Sequence, residues 1–270
     1  MRRFLPPLIG IPLGLAIAGL AVLHVSAVAG PPIPTPPTAA PLPHVLPMPY
    51  DPLRPPPDAT VLASGTGFFA ATHLVVTAAH VVSHCRAIRL VSAHLPPTRA
   101  RLAAVDDAND IAILHADAPA PAILQVGGDS QTATRLVVYG YPAAAPHDPG
   151  AKSPAGTWAR LVNDRVAATA SLERNPHTLL WMQSGQVAQG YSGGPILDPA
   201  SGHVVGIVRA LIDPQRAAAA YGIAMPDLSI GPGTAPLRAM LADSPTDAPA
   251  GDGDIFARAH RAIVHVLCWQ

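Results

Sequence analysis

Three short runs follow one another along the chain and bring together residue types able to do covalent chemistry: Thr77-Ala78-Ala79-His80, then Asp110-Ile111-Ala112-Ile113-Leu114, then Gly190-Tyr191-Ser192-Gly193-Gly194-Pro195. They supply an imidazole, a carboxylate and a hydroxyl. A serine hydroxyl is a poor nucleophile until a neutral imidazole takes its proton, and that imidazole needs a carboxylate on its other nitrogen to fix the tautomer and stabilise the imidazolium. Ser192 is therefore the expected nucleophile, His80 the base and Asp110 the group that orients it. The chemistry is acyl transfer through a serine ester. A tetrahedral intermediate also needs N–H donors for its oxyanion. Gly190, two residues before the serine, lets the chain turn so that its amide and that of Ser192 converge on that oxygen.

Competing residues lack these settings. His80 follows Leu74-Val75-Val76, which reads as a buried strand, through a run of small residues that allows a tight turn; His73, His84 and His94 have no such context. Asp106 and Asp107 sit in a polar Asp-Asp-Ala-Asn stretch and read as solvated turn residues. Asp110 directly precedes an apolar run, so it is the carboxylate expected to be buried, and a buried carboxylate requires a partner.

Around these residues the pattern is all-β. Short runs rich in Val, Ile, Leu and Thr, bounded by Gly, Pro, Asp and Asn, predict strands over 61–70, 73–76, 87–93, 111–116, 134–139, 160–168, 178–183, 196–197 and 203–211. Helical spacing appears only at the end, where Ile255, Phe256, Ala259, Ala262, Ile263, Val266 and Leu267 predict an amphipathic helix over 254–268, with Asp252 or Asp254 as N-cap.

Five matches carry a family resemblance: Gly65-Thr66-Gly67-Phe68, Thr77-Ala78-Ala79-His80, Asp110-Ile111-Ala112-Ile113-Leu114, Gly140-Tyr141-Pro142 and Gly190-Tyr191-Ser192-Gly193-Gly194-Pro195. Over about residues 60 to 230 the chain resembles the trypsin-like, chymotrypsin-fold serine peptidases, and most the bacterial exported HtrA-like and glutamyl-endopeptidase-like branches. Gly206-Ile207-Val208 and Tyr221 to Pro226 resemble the strands that wall the primary pocket and end the second barrel. The resemblance implies two antiparallel six-stranded β-barrels with a C-terminal helix, His80 and Asp110 on the first barrel and Ser192 on the second. It implies endopeptidase activity on peptide or protein substrates, with the peptidase domain at 58–230 and a tail at 231–270. By the same alignment Gln186, Val187, Val208, Arg209 and Ala210 approach the primary pocket. An inward Arg209 would favour acidic side chains, and an outward one small or medium apolar ones. Cys85 lies just past the His80 turn, and the family's closing helix, ending here at Cys268, packs back on the body, so these two are expected to form a disulfide in an oxidising compartment, two free thiols being the alternative.

Departures from the pattern limit what carries over. Tyr191 stands where animal digestive members keep the aspartate that pairs with a new N-terminus, so activation by that ion pair is not expected. With 44 residues beyond Pro226, against a usual domain minimum of roughly 50, no PDZ domain is expected. Gly190-Tyr191-Ser192-Gly193-Gly194 also satisfies the G-x-S-x-G pattern of esterases and lipases, but that fold needs a helix where Gly193, Gly194 and Pro195 stand, and the order His80, Asp110, Ser192 is the peptidase order. A protease fold kept as an inactive binding module is the remaining alternative.

Arg2 and Arg3 precede an apolar run from about Leu8 to Leu23, and Ala27-Val28-Ala29 matches an A-x-A cleavage site. Residues 1–29 read as a signal peptide, or as a membrane anchor if uncleaved, which places the body in the bacterial periplasm or outside the cell. Pro31 to Pro57 holds 13 prolines in 27 positions, an extended spacer within a 30–57 linker. Lys plus Arg and Asp plus Glu both equal 17, so no charge excess points to nucleic acid. The twelve histidines and two cysteines show no metal-ligand spacing, and neither a metal nor another cofactor is expected. A monomer is the expected state.

Overall fold

The computed structural model describes residues 60–127, 134–143, 153–162, 179–212, 215, 219, 228–242 and 254–270. The leader, the Pro-rich linker and the 221–226 strand expectation fall outside them.

Six strands close into a barrel in the order β1-β13-β3-β4-β5-β2: β1 (Val61–Ala71), β2 (Leu74–Ala78), β3 (Ala87–Ser92), β4 (Leu95–Asp106), β5 (Ile111–Ala116) and β13 (Ile263–Trp269). A one-turn helix α1 (Ala79–Val82) follows β2. The other strands, β6 (Arg135–Gly140), β7 (Ala155–Leu161), β8 (Leu179–Gln183), β9 (Pro195–Leu197), β10 (Val204–Ile207), β11 (Ala210–Ile212) and β12 (Leu228–Pro232), form a second sheet in the order β10-β9-β6-β7-β8-β12-β11. All named strand pairs are antiparallel. Two helices follow, α2 (Thr234–Leu241) and α3 (Ile255–Ala262).

Alternation along β1 and β2 sends neighbouring side chains into different cores. Phe69 and Val75 pack inside the closed barrel with Leu90, Leu114, Val264 and Val266. Phe68 and Val76 instead join Ile111, Tyr139, Tyr141, Leu197, Ile207 and Ile263, a cluster that welds the barrel to the second sheet. Each such fully buried side chain contributes roughly 1.5–3 kcal/mol of transfer free energy, so the two sheets are fixed relative to each other by apolar packing.

Two expectations are corrected. The helix predicted over 254–268 is only half helical: α3 stops at Ala262, and Ile263–Trp269 runs as β13 between β1 and β3. Asp254 is its N-cap, accepting from the Phe256 N–H at 2.9 Å. The run Ile263-Val264-His265-Val266-Leu267 is buried on both sides, the histidine included, so it carries no alternation to reveal a strand, and β-branching tips it to one. The second sheet is not a closed six-stranded barrel but a curled sheet of seven. One predicted strand, 203–211, is broken there into β10 and β11 at Val208–Arg209. The last strand of that sheet in chain order is Leu228–Pro232, set between β8 and β11.

Candidate active site

The β2–β5 pairing determines where the histidine and the carboxylate meet. Ala78 pairs with Ile111 at the end of both strands, so the residues immediately beyond, Ala79-His80 and Asp110, leave the barrel side by side. Asp110 adopts a left-handed backbone, φ 57°, a conformation Asp tolerates better than most residues. That turn aims three acceptors at α1. The Asp110 carbonyl accepts from Ala79 N–H at 3.1 Å, its Oδ1 from His80 N–H at 2.9 Å, and its Oδ2 from the His80 ring Nδ1–H at 2.7 Å. One residue thus caps the helix start and orients the imidazole, whose Nδ1–H bond to the carboxylate leaves Nε2 without the proton. Asp110 is 8% exposed, whereas half of the His80 side chain remains open to solvent. Asp106 instead accepts from Asn109 N–H and Nδ2–H within its own turn, away from this arrangement.

Ser192 arrives from the second sheet on a loop that packs against the same segment. Its carbonyl accepts from Thr66 N–H at 2.8 Å. A Cβ on Gly193 (φ 83°) would lie 2.2 Å from the Thr66 carbonyl and 2.6 Å from the Ala78 nitrogen, so glycine is what lets this loop close onto the strand that delivers His80. Among the described residues no hydrogen bond joins Ser192 to His80, and such contacts often tighten only with substrate bound.

Two peptide groups beside the serine are turned by their carbonyls. Gln189 C=O accepts from Ala143 N–H at 2.9 Å, and Tyr191 C=O accepts from Gly194 N–H at 2.8 Å. The amides on the other side of those planes are Gly190 N–H and Ser192 N–H, and neither donates to a backbone carbonyl among the described residues. Gly190 has φ 86°, and a Cβ there would sit 2.1 Å from the Tyr141 carbonyl. Thr66, quoted in the sequence only as part of a motif, has a structural role that spacing did not reveal. Its buried hydroxyl accepts from Tyr141 N–H at 2.8 Å and donates to Gly190 C=O at 2.6 Å, while its own carbonyl accepts from the Thr77 hydroxyl at 2.7 Å. The hydroxyl flanked by two glycines in Gly65-Thr66-Gly67 was the available signal.

Tyr191, preceding the serine, is 3% exposed and packs in the core of the second sheet with Val138, Ile196 and Val208. Burial pushes its phenol up to about 12. It is a neutral packing group, and Gly140 makes room for its ring.

Of the expected pocket residues, Val187 packs against the apolar core of the second sheet, to which Val208 belongs. Val208 also brackets the Ser192 loop, donating to Gly194 C=O and accepting from Gly193 N–H. Gln186 is exposed and accepts from the Thr157 hydroxyl at 3.0 Å. Ala210 is half-buried and starts β11. The Arg209 Nε lies 3.6 Å from Asp110 Oδ2, so its charge is aimed at the carboxylate. Cys85 and Cys268 form a disulfide, with the second cysteine on a strand rather than a helix. No group of three or more metal-ligating side chains occurs among the described residues. Nor does the strand-to-helix elbow of the esterases, since β9 begins at Pro195.

A sequence model of the trypsin-like peptidase domain matches residues 65–207. The uncharacterized protein y4bJ of Sinorhizobium fredii is 32% identical over 162 residues, 59% of this chain but 24% of that protein, so the match spans about a quarter of the relative. Among solved structures, the Rv3671c protease of M. tuberculosis in its active form is similar at 24% identity, covering 73% of this chain and 84% of that one, with a TM-score of 0.51. Its inactive Ser343Ala form gives 23%, 72% and 87%, with 0.50. The HtrA-type protease AlgW with a decapeptide gives 19%, 66% and 50%, with 0.50.

Proposed function

Because the chain belongs to the trypsin-like peptidase domain family, we propose that it is an exported serine endopeptidase working through Ser192, His80 and Asp110. The observation that carries this reading is the paired bonding of one buried carboxylate to the His80 amide and ring, next to a loop presenting the Gly190 and Ser192 amides. In the forward step Ser192 Oγ bonds to the scissile carbonyl carbon while its proton passes to His80 Nε2, and Asp110 stabilises the imidazolium. The carbonyl oxygen becomes an oxyanion held by the two amides. The C–N bond then breaks and the amine leaves with the proton from His80. Water attacks the resulting ester, His80 takes its proton, and Ser192 is released with the new carboxylic acid.

The favoured residue on the acyl side of the cut is small or medium and apolar. Val187 and Ala188 pack with the apolar core that would border such a side chain, and Arg209, the cation nearby, is engaged with Asp110. The export reading is supported by Arg2, Arg3 and the apolar run ahead of Ala27-Val28-Ala29, and by the Cys85–Cys268 disulfide, which suits an oxidising compartment.

Testing this requires the full chain, a fluorophosphonate label and a mixed peptide library, with cut positions read by mass spectrometry. Labelling of Ser192, cuts after apolar residues, and a loss of turnover on the order of 10⁴-fold or more in Ser192→Ala are expected. Label without cuts would point to an ester substrate or a narrow peptide one. Absence of label would leave a binding module.

A further inference from the structure

Asp110 Oδ2 has two neighbours, the His80 ring donor at 2.7 Å and the Arg209 guanidinium Nε at 3.6 Å. The second contact links the two sheets. Asp110 belongs to the barrel, whereas Arg209 joins β10 to β11 in the other sheet. At 3.6 Å this is an ion pair rather than a hydrogen bond. Its backbone is held in place, Arg209 N–H donating to Ile230 C=O at 2.8 Å and Val208 before it making two bonds to the nucleophile loop. The pair is also sheltered, with the Arg209 and Asp110 side chains 24% and 11% exposed.

Electrostatics give the contact a purpose. In the resting site His80 must be neutral to act as a base, so the His80 N–H groups bond to the carboxylate without cancelling its charge. A carboxylate held away from water is unfavourable without a counter-charge. Arg209 is the cation facing Asp110 among the described ion pairs.

We propose that Arg209 is a positioning residue, a charged strut from the second sheet that compensates Asp110 and keeps it turned toward His80. This deepens the peptidase reading and rests on it. It also removes Arg209 from the substrate pocket, because a guanidinium committed to Asp110 is not offered to an acidic substrate side chain.

The test compares Arg209→Met, which keeps length and apolar stem but loses charge, with Arg209→Lys in the full chain, using the peptide cut best by the unmodified protein. For R209M, kcat should fall about 10- to 100-fold, the range seen when a partner orienting a functional group is lost, with KM nearly unchanged. R209K should recover most of kcat, and added methylguanidinium should restore part of it to R209M without stimulating the parent chain. An unchanged kcat in R209M overturns the proposal. So does a raised KM at constant kcat, which would make Arg209 a substrate contact, and so does a loss that neither Lys nor methylguanidinium repairs, which would mean packing alone. If R209M does not fold, R209K carries the test: kcat close to the parent supports a role for charge, and a collapse refutes it. The peptidase reading fails separately, by a parent chain that neither takes the fluorophosphonate label nor cuts any peptide.

Discussion

Asp110 shows how much one side chain can organise when its backbone is turned to the left-handed region. Its carbonyl and both carboxylate oxygens are spent on Ala79 and His80, so removing the charge should disturb the base without unfolding the strand pair beneath it. Asp110→Asn can present its amide nitrogen to His80 Nδ1, which forces the proton onto the wrong ring nitrogen. Turnover should then fall on the order of 10⁴-fold, whereas Asp106→Asn, whose carboxylate only closes its own turn on Asn109, should lie within a few-fold of the parent. Steady-state rates for the two variants on one peptide check this, and a reversed order would move the acid into the turn. Both settings were readable from sequence, because the burial of Asp110 follows from the apolar run after it and the turn role of Asp106 from the polar run around it. The direction of Arg209 was not readable. Alternation along a strand gives two faces, but the strand breaks at Val208–Arg209, where bonds to Gly193 and Gly194 override the period.

At the scale of elements, sequence failed where a pattern was shared by two structures. Ile263–Cys268 is buried on both faces because it is sandwiched within the fold, so nothing in its spacing distinguishes strand from helix. β4 went unread because Pro96 and Pro97 open it and its outer face carries Arg99 and Arg101, yet it pairs along β3 and β5. The turn between β3 and β4 meets α3 through two histidines, His94 Nε2 and His260 Nδ1, 3.2 Å apart. Desolvation and then Arg261 lower the proton affinity of His94; desolvation and then His94 lower that of His260. Both therefore titrate below 6.5 in the folded chain. Between that folded value and the unfolded one, the unfolded chain binds more protons, so the pair's contribution is intact above 6.5 and is lost as pH falls. Thermal melts should show a drop in Tm from about pH 7 to about pH 5 that is smaller in His94→Gln/His260→Gln than in the parent. Equal drops in the two proteins would mean this contact does not sense acid.

Across the whole molecule, the last strand is what makes the barrel a closed object, since β13 sits between β1 and β3 and the chain must return from the second sheet before the first can be completed. The Cys85–Cys268 bond fastens that return. It joins the turn after α1, five residues past His80, to the penultimate residue of β13, across a sequence separation of 183 residues. A crosslink over so long a loop acts mainly on the unfolded chain, whose freedom it restricts, and should be worth roughly 2–5 kcal/mol. Cys85→Ser/Cys268→Ser should therefore melt roughly 5–15 °C below the parent under oxidising conditions. Near-native turnover is expected well below the melt, because Asp110 and Thr66 hold His80 and the Ser192 loop through contacts that do not involve either sulfur. Reducing the parent chain should reproduce the shift and leave the double variant unmoved. A variant that melts with the parent would show that β13 stays in the barrel through its strand pairing and buried side chains alone.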